Sequence, residues 1–350
     1  MASYDVIIAG AGIIGLSLAL ELHESGAHVL VLERGRPGGE ASSAAAGMLA
    51  ATDPETPMPL RALAIESAHL FPVFVEKLES ATRVGVDFRR HGTIVLSKEE
   101  TMPENYQPLS SRELQKLEPN LAGGGHNAYF VAEDSVDPAS LMTAALRSAA
   151  QRGVEVRSGI NVRKMQSSGG QVEIITEQGP LLAAKGVNCC GAWSGPPVRP
   201  RKGQMLYLGP ADSSPLTHVV RSPEAYIVPR SSGKILVGAT VEDVGYDKTV
   251  EPETIRNLHT SASACVPELA SAPVIASWAG LRPGSPDDLP LIGETEKGIF
   301  IASGHFRNGI LLAPVTAHIM ANLISGRAPG FEISAFAPQR FPSALCLTGN

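Results

Sequence analysis

Gly10, Gly12 and Gly15 stand at the spacing G-x-G-x-x-G, and Glu33 follows about 20 residues further on. That pattern binds a dinucleotide. The first glycine allows a tight turn, the second lets a pyrophosphate approach the backbone, and the third lets a helix pack on a strand. Val6 to Ala9 reads as the buried strand and residues 14–25 as the helix, whose N-terminal end attracts phosphates. Gly26 ends that helix, Val29 to Leu32 form a second strand, and Glu33 closes it where a ribose hydroxyl is bound. The competing reading is a glycine-rich structural turn. Strand, helix and acid agree with one another, which favours the dinucleotide. NAD and FAD both use this turn, so these residues leave the cofactor open.

The next segment, "GRPGGEASSAAAGML" (residues 35–49), is dense in small residues. A nicotinamide enzyme would continue with another helix and strand. A small-residue loop suits close packing along an extended, permanently held cofactor. "SAAAGM" is also too helical and apolar for a flexible linker. No Ser-His-Asp or metal-ligand constellation is evident, so no metal is expected. His126, His218 and His259 are scattered singly, as structural or exposed residues. Cys189, Cys190, Cys265 and Cys346 lack zinc-ligand or CxxC spacing, and adjacent cysteines make poor disulfide partners. Reduced thiols and a cytoplasmic location follow.

These residues need a scaffold. A chain of 350 residues is too long for one ordinary core and suits two domains. Apolar residues at 43% and charged ones at 18% are globular values. A net charge of -6 argues against nucleic-acid binding. The apolar start lacks a basic n-region and is interrupted by Asp5 and three glycines, so it is not a signal peptide. No stretch reads as long and apolar enough for a membrane span.

The pattern along the chain is parallel α/β, then β-rich, then α/β again. Residues 52–59 form a loop with three prolines. A helix is expected over 59–78, a strand within 89–100, and a short helix over 110–119 with Ser110 and Glu113 at capping-box spacing. Residues 135–153 predict a helix with Asp137 as N-cap, Pro138 at the first position and Gly153 after the end. Strands follow from Val154. "GQMLYLG", "AYIVPRSSGKILVGAT" and "APVIASWAGLRP" read as an antiparallel sheet, with a turn at residues 231–233. Residues 296–326 return to strand, glycine turn and long apolar helix. The fold class is therefore α/β, a Rossmann-like nucleotide domain interleaved with an antiparallel-sheet substrate domain. The expected boundaries are 1–80, 138–202 and 280–330 for the first, 81–137 and 203–279 for the second, and 331–350 for a C-terminal tail.

Four stretches carry a resemblance: "ERGRPGGEASSAAAGML", "AYIVPRSSGKILVGAT", "WAGLRPGSPDDLPLIG" and "ASGHFRNGILLAP". With them nearly the whole chain resembles the flavin-dependent amine oxidase family of D-amino-acid oxidase, sarcosine oxidase and glycine oxidase. It is most similar to the thiamine-pathway glycine oxidases. The resemblance implies FAD. Ile13 and Ile14 would meet the pyrophosphate, Glu33 and Arg34 the adenosine ribose, and Val162 the adenine. Ala41, Ser42, Ala46, Gly47 and Met48 would run along the flavin. His305, Phe306, Arg307, Asn308, Gly309, Ile310 and Leu311 would wrap its ring, with the last helix starting near Gly309. Arg282 would pair with the substrate carboxylate, Arg307 would be a second contact, and Tyr226 would lie over the substrate. His305 is read as a cofactor contact, not as a general base.

The implied reaction is oxidative deamination of glycine or another small amino acid, with oxygen reduced to hydrogen peroxide. The alternative is a D-amino-acid or secondary-amine oxidase, or a dehydrogenase with another electron acceptor. A homo-oligomer and a link to thiazole synthase are also implied. Three positions depart from the family: Val241, where a methionine can stand; Glu224, where a histidine can stand; and a short segment between "GAWSG" and "RKGQM". No cysteine lies near Arg282, so the FAD is expected to be non-covalent.

Overall fold

The computed structural model describes residues 4–122, 124–209 and 215–341; the expectations for Cys346 and for the end of the C-terminal tail, residues 342–350, lie outside them. The first strand, Tyr4–Ala9, is buried at every position except Asp5. It sits inside an eight-stranded sheet, parallel to Val29–Glu33 on one side and to Gly179–Asn188 on the other. Glu155–Ser158 and Ile299–Ser303 extend the parallel set outward. Strands buried on both faces read as unbroken runs of Val, Ile and Leu, which is why "VIIA" and "VLVL" show no alternation. An antiparallel hairpin, Val162–Ser168 with Gln171–Thr176, and the strand Leu291–Glu296 complete this sheet.

Helix Ile13–Glu24 crosses from the first strand to the second and packs on the last helix, Ala313–Ile324. Both are apolar on nearly all sides because sheet and helices enclose them. Helix Pro138–Arg152 begins and ends as its sequence predicts. Asp137 accepts from the N–H groups of Ala139 and Ser140 at 3.4 and 3.3 Å, and Gly153 adopts φ 82°. Helix Ser111–Leu117 has the full capping box: Glu113 N–H donates to Ser110 Oγ at 3.3 Å, and Ser110 N–H donates to the Glu113 carboxylate at 2.8 Å.

The second sheet also has eight strands, in the order Val274–Gly284, Arg199–Leu208, Ile235–Gly238, Tyr226–Pro229, Val219–Arg221, Thr93–Ser97, Asn127–Val131 and Gln107–Leu109. It is antiparallel as expected except at one seam, where Val219–Arg221 runs parallel to Thr93–Ser97. That seam joins two segments far apart in the chain, so no hairpin fixes their direction. A small third sheet of Met48–Leu49, Asp134–Val136 and Phe88–Arg89 lies beside the small-residue loop.

One expectation is corrected. Helix Met58–Thr82 has 25 residues and is long and apolar enough, by length and composition, to cross a membrane. The expected helix already ran through Pro72, and the structure extends it past Leu78 to Thr82, where Arg83 closes it at φ 56°. Leu60, Leu63, Phe71, Val75 and Leu78 form one face packed into the main core.

Candidate active site

A cavity of about 1210 Å³ is lined by residues of both large sheets. Pockets for drug-sized ligands run to roughly 300–1,000 Å³, so this space suits something larger. Gly10 and Gly12 line one part of it. Gly10 has φ 106°, and a Cβ there would lie 2.3 Å from the Cys189 carbonyl oxygen. Gly15 lies outside the lining; its Cβ would fall 2.0 Å from the Gly10 carbonyl oxygen, so its work is to bring helix onto strand.

Helix Ile13–Glu24 has no side-chain cap. Ile13 N–H donates to Ser42 Oγ at 3.0 Å, and the N–H groups of Ile14 and Gly15 have no acceptor among the described residues. Free donors at the positive end of a helix form an anion site. Glu33 is held by two backbone donors, Ala11 N–H and Gly35 N–H, both at 2.9 Å. Arg34 lies over the Trp193 ring at 3.7 Å and pairs with Glu40 at 3.4 Å, and Tyr246 stacks on Trp193 at 5.6 Å. Val162, Ala41, Ser42, Ala46, Gly47 and Met48 also line the cavity. A pyrophosphate and an adenosine fit these donors, and the small residues leave room for a flat ring system.

At the other end Gly203 makes space for Arg282: a Cβ there would lie 2.2 Å from Nη1. Arg282 donates to the Thr240 carbonyl at 3.0 Å, and no carboxylate among the described residues pairs with it. Tyr226 also lines the cavity, with its hydroxyl 3.3 Å from Met205 Sδ. Burial raises the pKa of this phenol against the pull of Arg282, so it stays a neutral donor.

His305 is buried, with Nε2 3.1 Å from Thr316 Oγ1. Burial pushes its pKa down to about 3, so it is neutral near pH 7 and a poor base. Phe306, Asn308, Gly309 and Ile310 line the cavity with it. Arg307 lines it too, but its guanidinium is bound to Glu55 at 2.7 Å. Two details differ from expectation. Leu311 sits in the hydrophobic core rather than in the lining, its carbonyl accepting from Ser67. The last helix begins at Ala313, after a 3-10 turn over Phe306–Asn308, because the turn first redirects the chain.

Val241 lines the cavity and is 48% exposed. Glu224 lines the cavity too and, exposed at its edge, pairs with Lys98 at 3.7 Å. The singly placed histidines are structural in two cases: His218 is buried against Glu118 at 2.7 Å, and His259 meets the Leu269 carbonyl at 2.8 Å. Cys189, Cys190 and Cys265 are free, and burial pushes the Cys190 thiol up to about 12. Among the described residues no group of metal-ligating side chains occurs.

Sequence reasoning missed the cluster around Arg221. Its guanidinium binds Asp53 at 2.9 Å, Glu133 at 2.7 Å and Tyr106 at 3.2 Å. Four distant segments supply these residues, and no motif marks them. The only hint was a loop at residues 52–59 rich enough in acids to seek a cation. Trp193 and Tyr246 were missed for the same reason.

A nucleotide-ready turn and a half-buried arginine with no carboxylate partner among the described residues, both facing one cavity, define a dinucleotide-dependent enzyme that handles a small anion. The family described as "DAO: FAD dependent oxidoreductase" matches residues 5–323, and the chain belongs to it. It is an FAD-dependent oxidoreductase, and FAD is its cofactor. It is 33% identical to a glycine oxidase of Pseudomonas aeruginosa over 96% of this chain and 99% of that protein. It is 35% identical to a bifunctional protein ThiO/ThiG of Synechocystis sp. over 96% of this chain and 54% of that protein. The crystal structure of glycine oxidase from Geobacillus kaustophilus superposes with a TM-score of 0.91 at 32% identity, covering 96% and 98% of the two chains.

Proposed function

We propose that this chain oxidises glycine, or a comparably small amino acid, to the imino acid. Water then hydrolyses the imine, so glycine, oxygen and water become glyoxylate, ammonia and hydrogen peroxide. The observation that carries this reading is Arg282, a cation inside the cavity with no carboxylate of its own. Its planar fork binds the substrate carboxylate and fixes where Cα lies, which is catalysis by positioning. Tyr226 covers the bound substrate as a neutral donor. When bound, FAD supplies the two-electron acceptor for the Cα–H bond and passes the electrons to oxygen. His305 takes no proton, so the amine enters already neutral.

Residues of the first sheet, with 1–80, 138–202 and 280–330 as boundaries, form the cofactor domain in this reading. Residues 81–137 and 203–279 form the substrate domain, and 331–350 the tail. The FAD is non-covalent, since the nearest cysteine to Arg282 in sequence is Cys265. The relatives' names favour glycine over a D-amino-acid or secondary-amine substrate. The fused relative supports a supply of imine to thiazole synthesis, and a cytoplasmic homo-oligomer completes the proposal.

Anaerobic mixing of the purified yellow protein with glycine tests it. Rapid bleaching of the flavin band is the expected result. Bleaching by sarcosine or D-alanine but not by glycine would overturn the substrate assignment and direct attention to Val241.

A further inference from the structure

Arg282 must point its guanidinium at one place, and the backbone that receives it is irregular. Thr240 lies between strand Ile235–Gly238 and helix Pro252–Cys265, outside both ladders, so no sheet partner sets the direction of its carbonyl. Side chains set it instead. Thr240 Oγ1 accepts from Gln204 N–H at 3.0 Å and donates to the Glu242 carboxylate. Glu242 also accepts from Gln204 Nε2 at 2.9 Å and pairs with Lys202 Nζ at 3.2 Å. The backbones of Lys202 and Glu242 exchange two further hydrogen bonds, both at 2.9 Å. The Gln204 side-chain oxygen accepts from Glu251 N–H at 2.7 Å, closing the far end of the same segment.

Lys202 is 1% exposed and Gln204 fully buried, yet neither lines the cavity. A buried lysine that touches no substrate space needs another reason to be there. Glu242 provides one, since only a carboxylate can accept from a hydroxyl, an amide and an ammonium at once. Burial pushes its pKa up, but the bonds from Thr240, Gln204 and Lys202 outweigh that and hold it below the usual carboxylate range. Asp247 lies 3.8 Å from the same ammonium. The lysine is thus paired within the network, and Arg282 is left without a carboxylate partner among the described residues.

We propose that Glu242 is a positioning residue, which acts through Thr240 to aim Arg282 at the substrate carboxylate. This rests on the reading of Arg282 as the carboxylate anchor.

The test uses holoenzyme carrying Glu242→Gln, Thr240→Val, Thr240→Ser or Arg282→Met. Acetate serves as the carboxylate probe, its affinity read from perturbation of the flavin spectrum, beside KM and kcat for glycine and FAD content. Glu242→Gln and Thr240→Val should each weaken acetate binding and raise KM about tenfold, the loss of roughly one directed hydrogen bond. kcat should stay within about twofold and FAD content unchanged, because neither residue touches the reacting atoms. Thr240→Ser should restore wild-type values. Should Glu242→Gln fail to fold, Thr240→Val decides alone, since it removes no charge. Unchanged acetate affinity and KM in Thr240→Val, with both lost in Arg282→Met, would overturn the proposal alone. Full acetate binding by Arg282→Met would overturn the anchor reading and this proposal with it.

Discussion

Arg282 and His305 line the same cavity and differ in their partners. Arg282 has no carboxylate partner among the described residues, so its guanidinium is available to a substrate carboxylate. Arg282→Met should lower kcat/KM for glycine by about 10²-fold or more, the scale of a bidentate charge-assisted pair. Steady-state oxygen consumption reads this directly. His305 is held neutral, with its pKa depressed from 6.5 to about 3. Between those values the unfolded chain carries a proton that the folded chain does not. His305 therefore costs stability as pH falls from 6.5 toward 3, on the order of a few kcal/mol in full. His305→Gln should flatten the fall of the urea midpoint between pH 7 and 4.5. A parallel fall in both proteins would show that other groups carry the acid sensitivity. These residues were legible in the sequence as positions. Their partners were not, because Thr240 meets Arg282 and Thr316 meets His305 only through the fold.

Elements hold the residues in place, and their ends were the most legible feature. Ser110 with Glu113 and Asp137 with Pro138 are local signals, satisfied by neighbours within one turn. Ser110→Ala should cost about 1 kcal/mol of stability while leaving kcat/KM unchanged, since the capped helix is remote from the cavity lining. Denaturant unfolding beside steady-state kinetics separates the two effects. Gly15 is the opposite case. Its Cβ would fall within 2.0 Å of the Gly10 carbonyl oxygen, and strand and helix would have to part. Gly15→Ala should purify with little FAD or be insoluble; a yellow, fully loaded variant would contradict this packing argument. Helix Met58–Thr82 shows the limit of local reading: the helix was expected through Pro72, but its end beyond Leu78, closed by Arg83 at φ 56°, was not.

At the scale of the whole molecule, the cavity draws its walls from both large sheets. A cofactor filling it binds the folded chain and not the unfolded one. Adding FAD to the stripped protein should raise Tm with concentration, by about 2.7 kcal/mol of stabilisation at 100 times Kd. No shift, in a protein that otherwise folds, would mean that the cavity is not where FAD binds. Loop 52–57 illustrates a second long-range effect. Asp53 binds Arg221 from the second sheet and Glu55 binds Arg307 from the turn after the first sheet. The loop, which lines the cavity, is thereby tied at two points by ion pairs, one sheltered and one exposed. High salt should weaken the exposed pair first.

The chain's order of residues alone determined the dinucleotide turn, the strand and helix periods and the helix caps, and a resemblance carried by whole stretches pointed to Arg282, Tyr226 and His305. Each of these depends on neighbours within a turn or two, or on a stretch of residues seen whole. Only the tertiary structure decided that Arg282 lacks a counter-ion, that Arg307 has one, that Leu311 belongs to the core and that Lys202, Gln204 and Glu242 converge on Thr240. Those facts depend on distances between segments far apart in the chain. Charge balance, burial and hydrogen-bond direction are properties of such distances, and they exist only after the chain has folded.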